Sequence, residues 1–229
     1  MTERGITLTR LAARIAAIRS PGPLLVGIDG TSGSGKTVFA GALATAVHAT
    51  GRPIIVGSSD DFHNPRAVRY RQGKSSPHGF FEDSYNYPCL CSQLLDPLRG
   101  PAPASYRLKA FDHRLDAPVA SPLQIAAPDA ILIFEGLFLL RPQLRSYWHF
   151  SIVLQVPMAE TYRRMSLRDG CPADPQDAQN RRYLLGEQLY LDQAPQLRAD
   201  VVIDNSDVAH PVLLSAREMD DRPRVRTPP

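Results

Sequence analysis

The sequence predicts an α/β fold in which a parallel sheet carries helices on both faces, and three observations predict it. Short apolar runs alternate along the 229 residues with longer segments of helical periodicity. The run Ala130-Ile131-Leu132-Ile133-Phe134 is apolar on both faces, the pattern of a strand buried between two layers. A glycine-rich stretch, GIDGTSGSGKT at residues 27–37, joins one such run directly to a helical segment. With 43% hydrophobic residues the chain can bury a substantial core, and no repeat divides it, so residues 1–214 are read as a single domain.

The elements follow in order. Leu8, Leu11, Ile15 and Ile18 recur at helical spacing with Arg10 and Arg14 on another face, which predicts an amphipathic helix over 7–19 within an N-terminal segment 1–20. Pro21-Gly22-Pro23 ends it, and 24–29 is a buried strand. The glycine stretch leads into a helix over 36–50, closed by Gly51. Ile54-Ile55-Val56 is a second strand, ending at Ser58-Ser59-Asp60-Asp61. Residues 62–128 are rich in Pro, Gly, Tyr, His and Arg, and only 91–98 stands out as helical. The strand 130–134 ends at Glu135-Gly136, and a further strand over 152–156 precedes Pro157. Helices over 158–169 and 176–193 and a last strand over 200–203 complete the domain. The tail 215–229, with four arginines, three acids and three prolines, is expected to stay disordered.

Composition narrows the functional classes. The 26 basic and 23 acidic side chains leave a net charge of +3, too mild to require nucleic acid or a membrane and compatible with small anionic substrates. Three cysteines, Cys89, Cys91 and Cys171, are too few and too unevenly spaced for a disulfide framework or a four-ligand zinc site, and they suit a reducing compartment. Arginines at 4, 10, 14 and 19 interrupt any signal-peptide core, and the longest apolar stretch, 131–140, is too short to span a bilayer. The expectation is a cytoplasmic protein, with homo-oligomerisation left open.

Only three residues are lysine, Lys36, Lys74 and Lys109, so one at the end of the glycine stretch carries weight. Gly30, four residues, then Gly35-Lys36-Thr37 match GxxxxGK[ST] between a strand and a helix, where the mechanism requires it. Residues Gly30, Thr31, Ser32, Gly33, Ser34, Gly35, Lys36 and Thr37 thus form a candidate phosphate loop: backbone N–H groups converge on an anion, Lys36 reaches the outer phosphates and the Thr37 hydroxyl ligates magnesium. Each charged hydrogen bond contributes about 1.5 to 3 kcal/mol, against roughly 0.3 to 1 for the helix dipole, so the amides dominate. A guanine-reading NKxD-type segment is missing from the sequence, which makes ATP the expected donor.

Ligands of open parallel sheets bind beyond the carboxyl ends of strands, and the loop, Asp60 and Glu135 all fall there. Asp60 is the candidate to accept a proton from a substrate hydroxyl, with Asp61 as the fallback, and Glu135 holds the place usual for a Walker-B carboxylate. Thr37, Asp60 and Glu135 form the candidate magnesium set. Arg164 and Arg168 lie four apart, on one helical face, where they can close over a triphosphate.

Taken together, GIDGTSGSGKT, SSDDFHNPRAVRYRQG, DSYNYP, AFDHR, AILIFEGLFLL, RRMSLRD and RADVVIDNSD resemble the uridine kinase family in order and spacing over roughly residues 22–208. The likeness is strongest to arginine-rich uridine kinase-like proteins of actinobacteria, relatives of phosphoribulokinase and bacterial pantothenate kinase. It implies a P-loop kinase fold with a five-stranded parallel core and a lid, here within 158–193, and ATP- and magnesium-dependent transfer to a nucleoside 5′-hydroxyl, as in pyrimidine salvage. It assigns Asp60 as the catalytic aspartate and places Arg164 and Arg168 in the lid. By the same likeness the segment 62–128 binds the substrate: Tyr85, Tyr87, Phe111, Asp112 and His113 line the nucleoside pocket, with Asp61, Phe62 and His63 beside them. Where the family reads Asn-Phe-Asp-His-Pro, this chain has Asn86-Tyr87-Pro88-Cys89, so either Asp83 substitutes for the missing aspartate or the acceptor differs. The stretch 170–175 lacks the family's basic loop, for which Arg181 and Arg182 are candidate replacements. Two other functions remain: a P-loop kinase of another acceptor, such as nicotinamide riboside, pantothenate, a sugar phosphate or a specialised metabolite, and a nucleotide-binding regulatory protein without turnover.

Overall fold

The computed structural model describes residues 2–100 and 103–214. The expected disordered tail lies outside the described residues. In chain order the elements are α1 (Glu3–Ala16), β1 (Leu24–Gly30), α2 (Lys36–His48), β2 (Ile54–Ser58), α3 (Arg66–Arg69), α4 (Pro77–Asp83), α5 (Tyr87–Leu90), α6 (Asp96–Arg99), β3 (Ala104–Tyr106), β4 (Phe111–Asp112), β5 (Ala117–Pro118), β6 (Gln124–Ala126), β7 (Ile131–Gly136), β8 (Phe150–Gln155), α7 (Met158–Asp169), α8 (Arg181–Leu191), β9 (Val201–Asp204) and β10 (Val212–Leu214).

The main sheet runs β10-β9-β8-β1-β7-β2, with β9 to β2 all parallel and β10 antiparallel at the edge. The five-stranded parallel core is therefore present, extended by a sixth strand that periodicity did not reveal. Side chains alternate between two cores as strand geometry requires. Leu24, Val26, Ile28, Ile131 and Ile133 pack under α1 and α2, whereas Leu25, Leu132 and Phe134 face Phe62, Phe80, Leu90 and Leu94 on the other side. Register sets the carboxyl ends of β1, β7 and β2 level, with Ile28 opposite Glu135 and Glu135 opposite Ser58.

Several boundaries differ from the sequence reading, each for a local reason. α1 begins at Glu3 because the Thr2 side chain accepts from Gly5 N–H and caps the first turn. The helical island widens to 87–99, interrupted by a π turn at Cys91–Leu95 and started by Asn86, whose side chain accepts from Cys89 N–H. α8 starts at Arg181 rather than 176, since Asp174 and Asp177 accept from Gln176 and Gln179 N–H and hold the chain in turns. Two small hairpin pairings, β3 with β6 and β4 with β5, decorate the 62–128 excursion. Among the described residues, no helix is long and apolar enough to cross a membrane.

Candidate active site

The loop after β1 is shaped from outside. Gly30, Gly33 and Gly35 have φ of 158°, 73° and 88°. A Cβ at Gly33 would lie 2.4 Å from the Thr161 carbonyl oxygen, and one at Gly35 would lie 2.8 Å from Asn205 Nδ2. Only glycine fits such approaches. The loop carbonyls are drawn outward: Asn205 Nδ2 donates to Ser34 O at 2.8 Å, Arg164 Nη1 to Gly33 O at 3.5 Å and Lys36 Nζ to Thr31 O at 2.9 Å. The Gly30, Ser32 and Ser34 amides are bonded to Asp29, Glu187 and the Thr31 carbonyl, so the cradle that fits a polyphosphate falls to the remaining amides of the loop and the first turn of α2.

At the ends of β7 and β2, the Glu135 Oε1 accepts from Thr37 Oγ1 at 3.1 Å and from Ser58 Oγ at 2.9 Å. These hydroxyl and carboxylate oxygens are the hard donors that suit magnesium. Asp60 follows directly: its amide is capped by Ser58 Oγ at 3.2 Å, its carboxylate faces solvent, and its carbonyl pairs with His63 Nδ1 at 3.0 Å. Its charge is felt by Arg168, by Tyr85 and by His63. Loop, carboxylate pair and the α7 arginine thus share one end of the sheet.

The two arginines of α7 differ in use. Arg164 is bound on all sides, to Glu160 Oε1 at 2.8 Å and to the carbonyls of Asn205 and Ser206 at 2.9 and 2.7 Å, so it fastens α7 to the loop and to the end of β9. Arg168 is exposed and paired with its neighbour Asp169 at 2.7 Å.

Beyond Asp60, rings form a continuous row. The His63 ring lies 5.1 Å from His113 and 4.7 Å from Tyr85, and Tyr85 lies 6.1 Å from Tyr87. Burial lowers the His63 pKa, raises that of Tyr85 well above its ordinary value and pushes Tyr87 up to about 12. Other residues named from the sequence are occupied by the protein itself. Phe62 packs in the core against Phe134, and Phe111 is buried. Asp83, 2% exposed, accepts from Arg71 and Gln72 through both oxygens. Asp61 and Asp112 share Lys109 at 3.3 and 3.2 Å. Arg182 is buried and donates to the carbonyls of Arg69, Gly73 and Lys74.

Four residues of the site escaped the sequence reading. Asp29, beside the loop, is buried and accepts from Gly30 and Leu140 N–H and from the Tyr190 hydroxyl, and burial raises its pKa against those bonds. Glu187, 1% exposed, accepts from Ser32 N–H at 2.8 Å, and burial raises it too. Tyr190 and Glu187 are three apart on α8, a spacing that puts both on the face toward the loop. Arg141 is 7% exposed and lies over Phe81 at 4.4 Å and Tyr87 at 4.9 Å, donating to Phe81 O and Tyr87 Oη at 3.0 Å. Among the described residues its Nε bonds to nothing. Cation–π contacts return about 0.5 to 2 kcal/mol, less than the several kcal/mol that desolvating a cation costs, so this guanidinium is short of a counter-charge.

No family model matches the chain, and no curated protein matches it by sequence. Solved structures do. A possible uridine kinase from Bacillus stearothermophilus superposes with a TM-score of 0.67 at 27% identity, over 85% of this chain and 96% of its own. A candidate fructose transport system kinase from Silicibacter sp. TM1040 gives 0.64 at 27%, over 84% and 95%. Phosphoribulokinase from Rhodobacter spheroides gives 0.56 at 14%, over 81% and 71%, a likeness of fold alone. The mixed α/β architecture with its central parallel sheet is that of P-loop kinases.

Proposed function

We propose that this protein is an ATP-dependent kinase that transfers the γ-phosphate to a hydroxyl of a small molecule. The observation that carries this reading is the Glu135 carboxylate, which joins Thr37 of the phosphate loop to Ser58, two residues before the exposed Asp60. In this reading residues 1–214 form one kinase domain, 62–128 receive the acceptor and 158–193 cover the triphosphate.

The loop amides and Lys36 hold the outer phosphates, Lys36 leaving Thr31 O for them. Thr37 and Glu135, with Asp60, would hold magnesium, which offsets charge on the phosphoryl group in transit. Asp60 accepts the proton of the acceptor hydroxyl as its oxygen bonds to the γ-phosphorus, and the bond from that phosphorus to the β-bridging oxygen breaks to release ADP. Arg168, exposed and within reach of the Asp60 charge, closes on the transferred group. Arg164 keeps α7 in place.

Uridine and cytidine are the first acceptors to test, because the half-buried rings of His63 and His113 offer faces to a planar base. ADP should appear only with an acceptor, and the product should gain one phosphate in its mass spectrum. Nicotinamide riboside, pantothenate and sugar phosphates belong in the same panel. Tight ATP binding with no acceptor-dependent ADP would instead favour a regulatory protein.

A further inference from the structure

We infer that the phosphate acceptor is an acid, a small alcohol bearing a carboxylate or phosphate group, and that Arg141 recognises that group at the end of the acceptor site remote from Asp60. This rests on the kinase reading above and specifies its substrate class. The ring row gives the direction. It starts at His63, bonded to the Asp60 carbonyl, passes through Tyr85 to Tyr87, and ends where the Tyr87 hydroxyl accepts from Arg141. Tyr85 is itself 4% exposed, so the row marks the line from Asp60 to the guanidinium rather than a surface, and an acceptor with its hydroxyl at Asp60 would extend along that line to present its other end to Arg141.

Charge bookkeeping points the same way. A neutral sugar diol is best read by a free carboxylate, and four aspartates here already have basic partners: Asp61 and Asp112 share Lys109, Asp83 pairs with Arg71 and Asp116 with Arg69. Arg141, in contrast, has no carboxylate within 4.0 Å among the described residues, although it is more than nine-tenths buried. Buried charges are ordinarily paired, and an anionic ligand would supply the missing partner with the bidentate geometry that guanidinium offers.

The test pairs each acid with its neutral analogue: glycerate with glycerol, ribose 5-phosphate with ribose, pantothenate with pantothenol, and uridine alongside. The protein is supplied with ATP and magnesium, and ADP and phosphorylated product are measured. The acid of at least one pair should be phosphorylated at least tenfold faster than its neutral partner, and which acid responds separates carboxylate from phosphate. Arg141→Met should raise the KM for that acid at least tenfold, leave the KM for ATP within twofold, and be partly rescued by Arg141→Lys. A merely structural Arg141 would move both constants or neither. Should Arg141→Met fail to fold, the wild-type pairs decide alone. If uridine or the neutral alcohols are phosphorylated and the acids are not, the inference falls while the kinase reading stands. If no acceptor draws phosphate from ATP, both fall.

Discussion

Asp60 is held by its backbone rather than by a side-chain partner, which leaves its carboxylate available for a proton. Asp60→Asn is expected to leave ATP affinity nearly intact and to lower turnover by about 10² or more, measured by calorimetry and steady-state kinetics. Lys36→Ala should damage both. Glu187 makes a different prediction. Burial holds its carboxyl above the usual range, against the pull of the Ser32 bonds and the Lys36 charge, so the folded protein keeps a proton that the unfolded chain has released. Its contribution to stability is complete below the ordinary value of 4.5 and is lost as pH rises through the raised folded value. Glu160 acts outside that window. The Arg163 hydrogen bond holds it at about 2, so its contribution is present above 4.5 and lost as pH falls through about 2. The stability of wild type minus that of Glu187→Gln, from denaturant unfolding, should therefore decline as pH climbs from 4.5. Above the raised value, where Glu187 is ionised, the same variant should bind ATP more tightly, since it removes a negative charge from beside the loop while keeping an acceptor for Ser32 N–H.

At the level of elements, the loop owes its form to neighbours distant in sequence. Asn205, at the end of β9, holds the Ser34 carbonyl in a buried bond. Asn205→Ala leaves that carbonyl unpaired, at a cost of about 1 to 3 kcal/mol, and should weaken ATP binding with little change in acceptor KM. Gly170 closes α7 with φ of 73°, and a Cβ there would meet nothing. Gly170→Ala should thus cost only the left-handed strain, about 1 to 2 kcal/mol, readable by denaturant unfolding. Elements with strong local punctuation were legible: α7 spans the 158–169 read from the sequence because Pro157 precedes it and Gly170 ends it. α8 was not, because the side chains of Asp174 and Asp177 compete for the amides ahead of it. The two- and three-residue strands between 104 and 126 are too short to show any period.

Over the whole molecule, the sheet was readable because β1 and β7 are apolar on both faces, and the loop because its motif is local. The surroundings of the ring row were not, for their contacts join residues 54 and 60 positions apart, Arg141 to Tyr87 and to Phe81. Ligand linkage offers a global check. A non-hydrolysable ATP analogue at a hundredfold excess over its Kd should stabilise the fold by about 2.7 kcal/mol, in wild type and in Asp60→Asn but not in Lys36→Ala at the same concentration. The helices on either side of residues 170–180 are both moored to the loop, α7 through Arg164 on Gly33 and α8 through Glu187 on Ser32. Wholesale swinging of either rod would tear the nucleotide seat apart. Under the kinase reading, closure over a bound nucleotide would therefore have to come from residues 170–180 and not from the helices themselves.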